Sequence, residues 1–283
     1  MLSLHTNNAA LSAQSSITKT QSNLSTSMTR LSTGFRINSA QDDAAGLQIA
    51  SRLKAQTSGM AVAMRNTQNA TSMLQTADGA LDEVSNMLIR MKDLATQAAD
   101  ASSTADDKTA MQSEYDALGK ELGNVLKNTT FGGKTLMVGG TIASSMTFQI
   151  GASSSETMAV DLSTDMSSVV TNVTSATANY AAAATGTELT SAANATIGKL
   201  DTALASVNKV RSGLGAAANR LDHVYNNLSN ISSNTKAATG LIMDVDFATE
   251  SSSMTSNQML LQAGTAMLKQ TNSMSSMVMS LLQ

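Results

Sequence analysis

Apolar positions between residues 44 and 99 recur at alternating intervals of three and four: Leu74, Ala77, Leu81, Val84, Leu88, Met91, Ala95 and Ala98. The frame extends backwards through Ala70, Ala63, Met60, Leu53 and Ile49. A repeat sustained this far predicts a long helix packed lengthwise on other helices. At 1.5 Å per residue it would be a rod of roughly 80 Å. Met111, Tyr115, Leu118, Leu122 and Val125 repeat the pattern over a shorter stretch. Leu200, Leu204, Val207, Leu214, Ala218, Leu221, Tyr225 and Leu228 repeat it again, with Arg211 as the charged intruder. The expected fold class is therefore mainly α: an elongated helical bundle or coiled-coil rod.

Between these segments the period changes. "NTTFGGKTLMVGG" reads as a Gly-rich turn region, and "MTFQIGASSSETMAVDL" as a small β-hairpin: Phe148 and Ile150 alternate with polar residues, a turn of small residues follows, and then Val160 and Leu162. Residues 163–191 are mostly Ser, Thr, Ala and Asn. They offer little to bury, so a short surface excursion, dispensable for folding, is expected there.

The two ends form a matched pair. Both have helical spacing, through Leu4, Leu11, Ile17, Leu24 and Leu31 at one end and Leu260, Met267, Met274 and Leu281 at the other. Yet Lys19 is the one charged residue in 1–29, and Lys269 the one in 251–283. At the chain's own 14% charged content, about nine charges would be expected over these stretches. An amphipathic helix usually puts charge on its wet face. Apolar stripes backed by uncharged Ser, Thr, Asn and Gln suit burial in an assembly. The expected domains are paired terminal helices (1–43 and 241–283), a rod domain (44–162 and 192–240), and the excursion (163–191).

Residues 31–53, "LSTGFRINSAQDDAAGLQIASRL", interrupt the helical pattern. Asp42 and Asp43 are adjacent acids that could serve catalysis or a metal, but no His or Cys lies near them. Gly34 is placed to cap the preceding helix, Asn38 or Ser39 to cap the next, and the acids to complement its dipole. With Arg36 these residues form a polar corner between two helices, dense enough in polar groups to double as a contact surface.

Composition narrows the function. The chain has no proline and no cysteine, nineteen methionines, and seven aromatic residues (four Phe, three Tyr) in 283. Absent proline fits uninterrupted helices. Absent cysteine removes disulfides and thiol chemistry. A net charge of −3 gives no reason to expect nucleic acid. No stretch suits a membrane span or a cleavable secretory signal. His5 and His223 have no ligand-spaced partner, "GGK" at 132–134 lacks the phosphate-loop frame, and the serines have no evident base. No enzyme activity and no cofactor are expected.

The corner sequence "LSTGFRINSAQDDAAGLQIASRL" resembles the N-terminal signature of bacterial flagellins, as do "NTTFGGKTL", "FQIGA" and "ANRLDH". "DVDFATESSSMTSNQMLLQAGTAMLKQTNS…SLLQ" resembles the flagellin C-terminus. The likeness covers about residues 1–165 and 195–283, with the motifs in the family's order. It implies terminal helices lining a filament core, a surrounding helical rod, and a minimal form without separate outer domains, similar to lateral flagellins. It further implies a secreted, extracellular filament subunit that polymerises with itself and serves as a passive propeller. Export through the flagellar type III channel, a chaperone for the C-terminus, and cap and hook-junction partners are implied with it. A hook–filament junction protein is the alternative, and "LLQAGT" at 260–265 with the full corner motif favours flagellin. The tail reads "NSMSSM" where the family often has a proline, and the start "MLSLHT" is unusual, with Met1 expected to be retained before bulky Leu2. The family's face for the animal Toll-like receptor for flagellin maps onto Arg90, Leu94 and Glu114, with Ile89 in place of a commonly polar residue.

Overall fold

A computed structural model describes residues 7–180 and 186–281 of the chain. In it, every seam position from Ala70 to Ala98 lies buried on one helix, α2 (Ala44–Ala99). The frame holds back to Ala63 and Met60, then drifts by one residue. Ala50 is buried where the heptad had pointed to Ile49, which is exposed, and Leu53 is half-buried. A straight helix drifts against a strict seven-residue repeat, so a frame extrapolated from one end loses register at the other.

The described chain is mainly α, with two small antiparallel hairpins. It divides into two compact units, 58–232 and 1–57 with 233–283.

In the 58–232 unit, one apolar core joins α2 to α3 (Ala105–Asn128), α4 (Ser163–Ala176) and α5 (Glu188–Met243). Thr104 and Asp107 open α3 as a reciprocal capping box. Strands β1 (Thr130–Phe131) and β2 (Lys134–Thr135) turn on Gly132 and Gly133, both at positive φ, a turn whose twist suits a two-residue hairpin. Strands β3 (Met146–Gln149) and β4 (Thr157–Val160) form the expected hairpin, with Met146 opposite Val160 and Phe148 opposite Met158. Arg211 leaves the α5 seam sideways, to Asp78 at 2.9 Å and Asp82 at 2.8 Å, four residues apart on α2. The hydrogen bond to Asp78 is the main reason its guanidinium is held more firmly protonated than usual.

The segment 163–191 is not a surface excursion. Met166, Val169, Val173 and Ala176 of α4 are all fully buried, at helical spacing. Ser168, Thr171 and Thr174 return their hydroxyl hydrogens to carbonyls four residues back, so a Ser/Thr-rich helix meets its own polar demand. Beyond α4 the chain crosses α3 as a strap. Thr177 seats against Gly119, where a Cβ would come within 2.6 Å of the threonine hydroxyl. Tyr115 donates to the carbonyl of Ala176 at 2.7 Å. Asp116 accepts from Asn179 at 2.7 Å and from the Gly186 amide at 3.1 Å, and Gln112 accepts from the Leu189 amide at 2.7 Å. Burial, helped by Glu188 and Asp116, pushes the Tyr115 hydroxyl far above its ordinary pKa. It therefore stays a neutral donor.

The terminal unit holds α1 (Asn8–Thr33), the start of α2, the end of α5, and α6 (Phe247–Leu281). Helices α1 and α6 run antiparallel against each other. The Asn7 side chain reaches the carbonyl of Thr271, Ile17 lies against Gly264, and Arg30 lies 3.7 Å from Glu250. The terminal helices therefore have a partner within the subunit.

Candidate functional site

The corner at 34–43 is built residue by residue. Gly34 ends α1 in the left-handed conformation (φ 75°), and its amide bonds to the carbonyl of Arg30 at 2.9 Å. The next residues pair with the end of α5: the Arg36 amide donates to Met243, the Val245 amide to Gly34, and the Arg36 guanidinium to the carbonyl of Ile242 at 2.9 Å. Sequence spacing carries no signal for this tie, because the partners are some two hundred residues apart.

The adjacent acids do two different structural tasks. One oxygen of Asp42 accepts from the Asn38 amide at 3.1 Å, the Ser39 amide at 2.9 Å and the Ser39 hydroxyl at 3.1 Å. These bonds, the Ser39 amide first, hold its carboxyl below the usual carboxylate range. Asp43 accepts from the Gly46 amide at 2.8 Å and so caps α2. The cap is thus Asp43, not Asn38 or Ser39, which instead donate into the turn. A Cβ at Gly46 would crowd the capping Asp43 carboxylate first and the Cδ1 of buried Ile37, at 2.8 Å, next. Arg30 spans two carboxylates, Asp42 at 3.9 Å and Glu250 at 3.7 Å.

The terminal stripes separate into two faces. On α1, Ile17, Leu24 and Leu31 are half-buried, with Ser27 buried beside them, while Leu11 is 55% exposed. On α6 the half-buried line is Met254, Asn257, Leu261, Gly264, Leu268 and Thr271. The sequence-predicted stripe is a different line. Leu260, Met267 and Met274 are 58%, 64% and 56% exposed. Leu4 and the side chain of Leu281 lie outside the described residues. Helix α6 thus has one face against α1 and an apolar line open beside it. That open line lies on a helix whose residues 251–281 carry one charged side chain, Lys269.

The third set of residues splits. Arg90 grips Glu114 through Nε and Nη2, at 2.8 and 2.6 Å to one oxygen, on an exposed face. Ile89 is exposed near it. Leu94, expected on that face, is 2% exposed and packs in the core beside the α2 seam.

Comparison with known proteins decides the family. The flagellin N-terminal helical region matches residues 4–142, and the flagellin C-terminal helical region matches 197–282. The chain belongs to the bacterial flagellins. It is 33% identical to Flagellin A of Vibrio anguillarum, with the whole of both chains covered, and 39% identical to a flagellin of Halalkalibacterium halodurans over 90% of each. The first alignment runs over 379 positions against 283 residues, so that relative has residues this flagellin lacks. A putative flagellar hook-associated protein from Vibrio parahaemolyticus shares the fold, with a TM-score of 0.58, over 71% of this chain and 99% of that one, at 18% identity. This flagellin is a structural subunit of the flagellar filament, an extracellular polymer, and not an enzyme. No described helix is long and apolar enough to cross a membrane.

Proposed function

We propose that subunits of this flagellin polymerise through the open face of α6 with the exposed part of α1, and that this face forms the filament's inner core. The observation that carries the reading is the exposed line Leu260, Met267 and Met274 beside a face already occupied by α1. Burying such a line yields about 25 cal/mol per Å² of apolar surface, and it introduces no charge to desolvate. The corner at 34–43 holds α1, α2 and the end of α5 in fixed register, so a neighbour meets one surface. A Met267→Asp subunit tests this. Its seeded elongation is expected to fail, because a carboxylate would be desolvated in the packed core, while its circular dichroism stays that of the parent. Normal growth overturns the assignment of this face.

Membership of the family supports a reading of the finer activities. The chain is exported through the flagellar type III channel with a chaperone on its C-terminus, adds beneath a cap onto hook-junction proteins, and turns passively as a propeller. Arg90 and Glu114 form the exposed part of the face for the animal Toll-like receptor for flagellin. Arg90→Ala is expected to weaken the receptor response of reporter cells, since it removes a multi-donor side chain of the kind that anchors interfaces. An unchanged dose response counts against that role.

A further inference from the structure

The methionines are divided between the two units. Among the described residues of 58–232 none is exposed, and Met91, Met137 and Met166 are fully buried. In the terminal unit Met259, Met267 and Met274 of α6 are 60%, 64% and 56% exposed, and Met277 of α6 and Met28 of α1 are exposed as well. The chain has neither cysteine nor tryptophan. Its softest accessible nucleophiles are therefore these thioethers, all but Met28 on the helix that carries the proposed assembly face. A thioether there serves adaptable packing, and its sulfur is open to chemistry until the face is covered.

We propose that Met259, Met267 and Met274 form an oxidative modification site, at which peroxide-class two-electron oxidants render the free subunit unable to assemble. The proposal rests on the reading of α6 as the subunit contact. A sulfur lone pair attacks one peroxide oxygen, the S–O bond forms, the O–O bond breaks, and the other oxygen leaves as water after proton transfer. The thioether is oxidised to the sulfoxide and the peroxide is reduced. The product is polar and must be desolvated wherever α6 is buried. Each sulfoxide in the contact is expected to raise the critical concentration about tenfold or more. Assembly and oxidation then compete: a covered face is protected, and an open one is lost until a methionine sulfoxide reductase restores it. The buried methionines of 58–232 stay unmodified, so the oxidised subunit keeps its fold.

The test treats full-length monomer and finished filament with dilute hydrogen peroxide, maps sulfoxides by peptide mass spectrometry, and measures seeded elongation. Expected are sulfoxides at 259, 267 and 274 in the monomer before any at Met137 or Met166, protection in the filament, arrested growth, and recovery with the reductase. A triple Met→Leu variant at the three positions is expected to grow after the same treatment, whereas Met137→Leu is arrested like the parent. Where the triple variant does not itself grow, the reductase arm decides, and growth that stays arrested after full reduction overturns the proposal. Oxidised subunits that elongate normally while Met267→Asp subunits do not overturn the proposal alone. Normal elongation by both overturns the assembly reading with it.

Discussion

At the scale of single residues, the corner shows how a pair of acids becomes structure. Two adjacent aspartates with an arginine upstream could be read as chemistry, but each carboxylate is consumed by backbone amides. Asp42 organises the turn and Asp43 caps α2. The presence of the corner and its glycine cap were legible, because Gly34 ends a helical run and polar residues follow it. The choice between Asp43 and Asn38 or Ser39 as cap was not, because it depends on a turn that bends the chain before the helix begins. The pH consequence has a definite sign. Asp42 has a folded pKa below its ordinary value, so its contribution is fully present above about pH 3.9 and is lost as pH falls through the lower folded value. Amide protection at Asn38 and Ser39, followed by nuclear magnetic resonance, is expected to persist at pH 5 and collapse only in stronger acid. Asp42→Asn is expected to show the collapsed value at neutral pH. Unchanged protection in that variant would mean that the turn holds without the charge.

At the scale of elements, α4 corrects the reading of composition. A stretch of Ser, Thr, Ala and Asn looked too polar to join a core, yet Met166, Val169, Val173 and Ala176 keep intervals of three and four. The signal was present in the spacing and was hidden by the small residues around it. The strap that follows had no such signal. It is held by Asp116, Gln112 and Tyr115 of α3, which reach polar groups at 176–189 that no local pattern pairs with them. The long helices were the reverse case, since one period identified their buried face over most of α2. Leu94 lies outside that period, one residue before Ala95, yet packs in the core beside the seam; its assignment to a receptor face came from resemblance, which transfers a residue without transferring its exposure. Removing residues 165–190 is therefore expected to destabilise the unit, not to leave it intact. Met166→Ala, a cavity in a fully buried site, is expected to cost about 2–5 kcal/mol in denaturant unfolding. A loss under 1 kcal/mol would show that α4 is peripheral to the cooperative core.

At the scale of the whole molecule, the chain concentrates its ion pairs and its burial in the same unit. The 58–232 unit contains a continuous apolar core and all but two of the ion pairs seen among the described residues. The terminal helices have each other and little else. Each offers one face to its partner, with Gly264 letting Ile17 approach closely, and leaves apolar side chains open. An isolated helix pays a nucleation cost that only packing repays, and a single shared face repays part of it. Closing the open face against neighbouring subunits repays the rest, against the entropy of fixing the chain. Amides of α1 and α6 are therefore expected to exchange far faster in the free subunit than in the filament, whereas those of α2 between Ala70 and Ala98 exchange slowly in both. Limited proteolysis is expected to trim the ends of the monomer first. Leu260→Asp separates packing from fold, because the side chain is 58% exposed in the single subunit and a carboxylate there costs the monomer little. It is expected to abolish seeded growth while leaving the exchange of the α2 amides at its parental rate. Terminal helices protected equally in monomer and filament, or Leu260→Asp filaments that lengthen at the parental rate, would show that the open line of α6 is not what drives assembly.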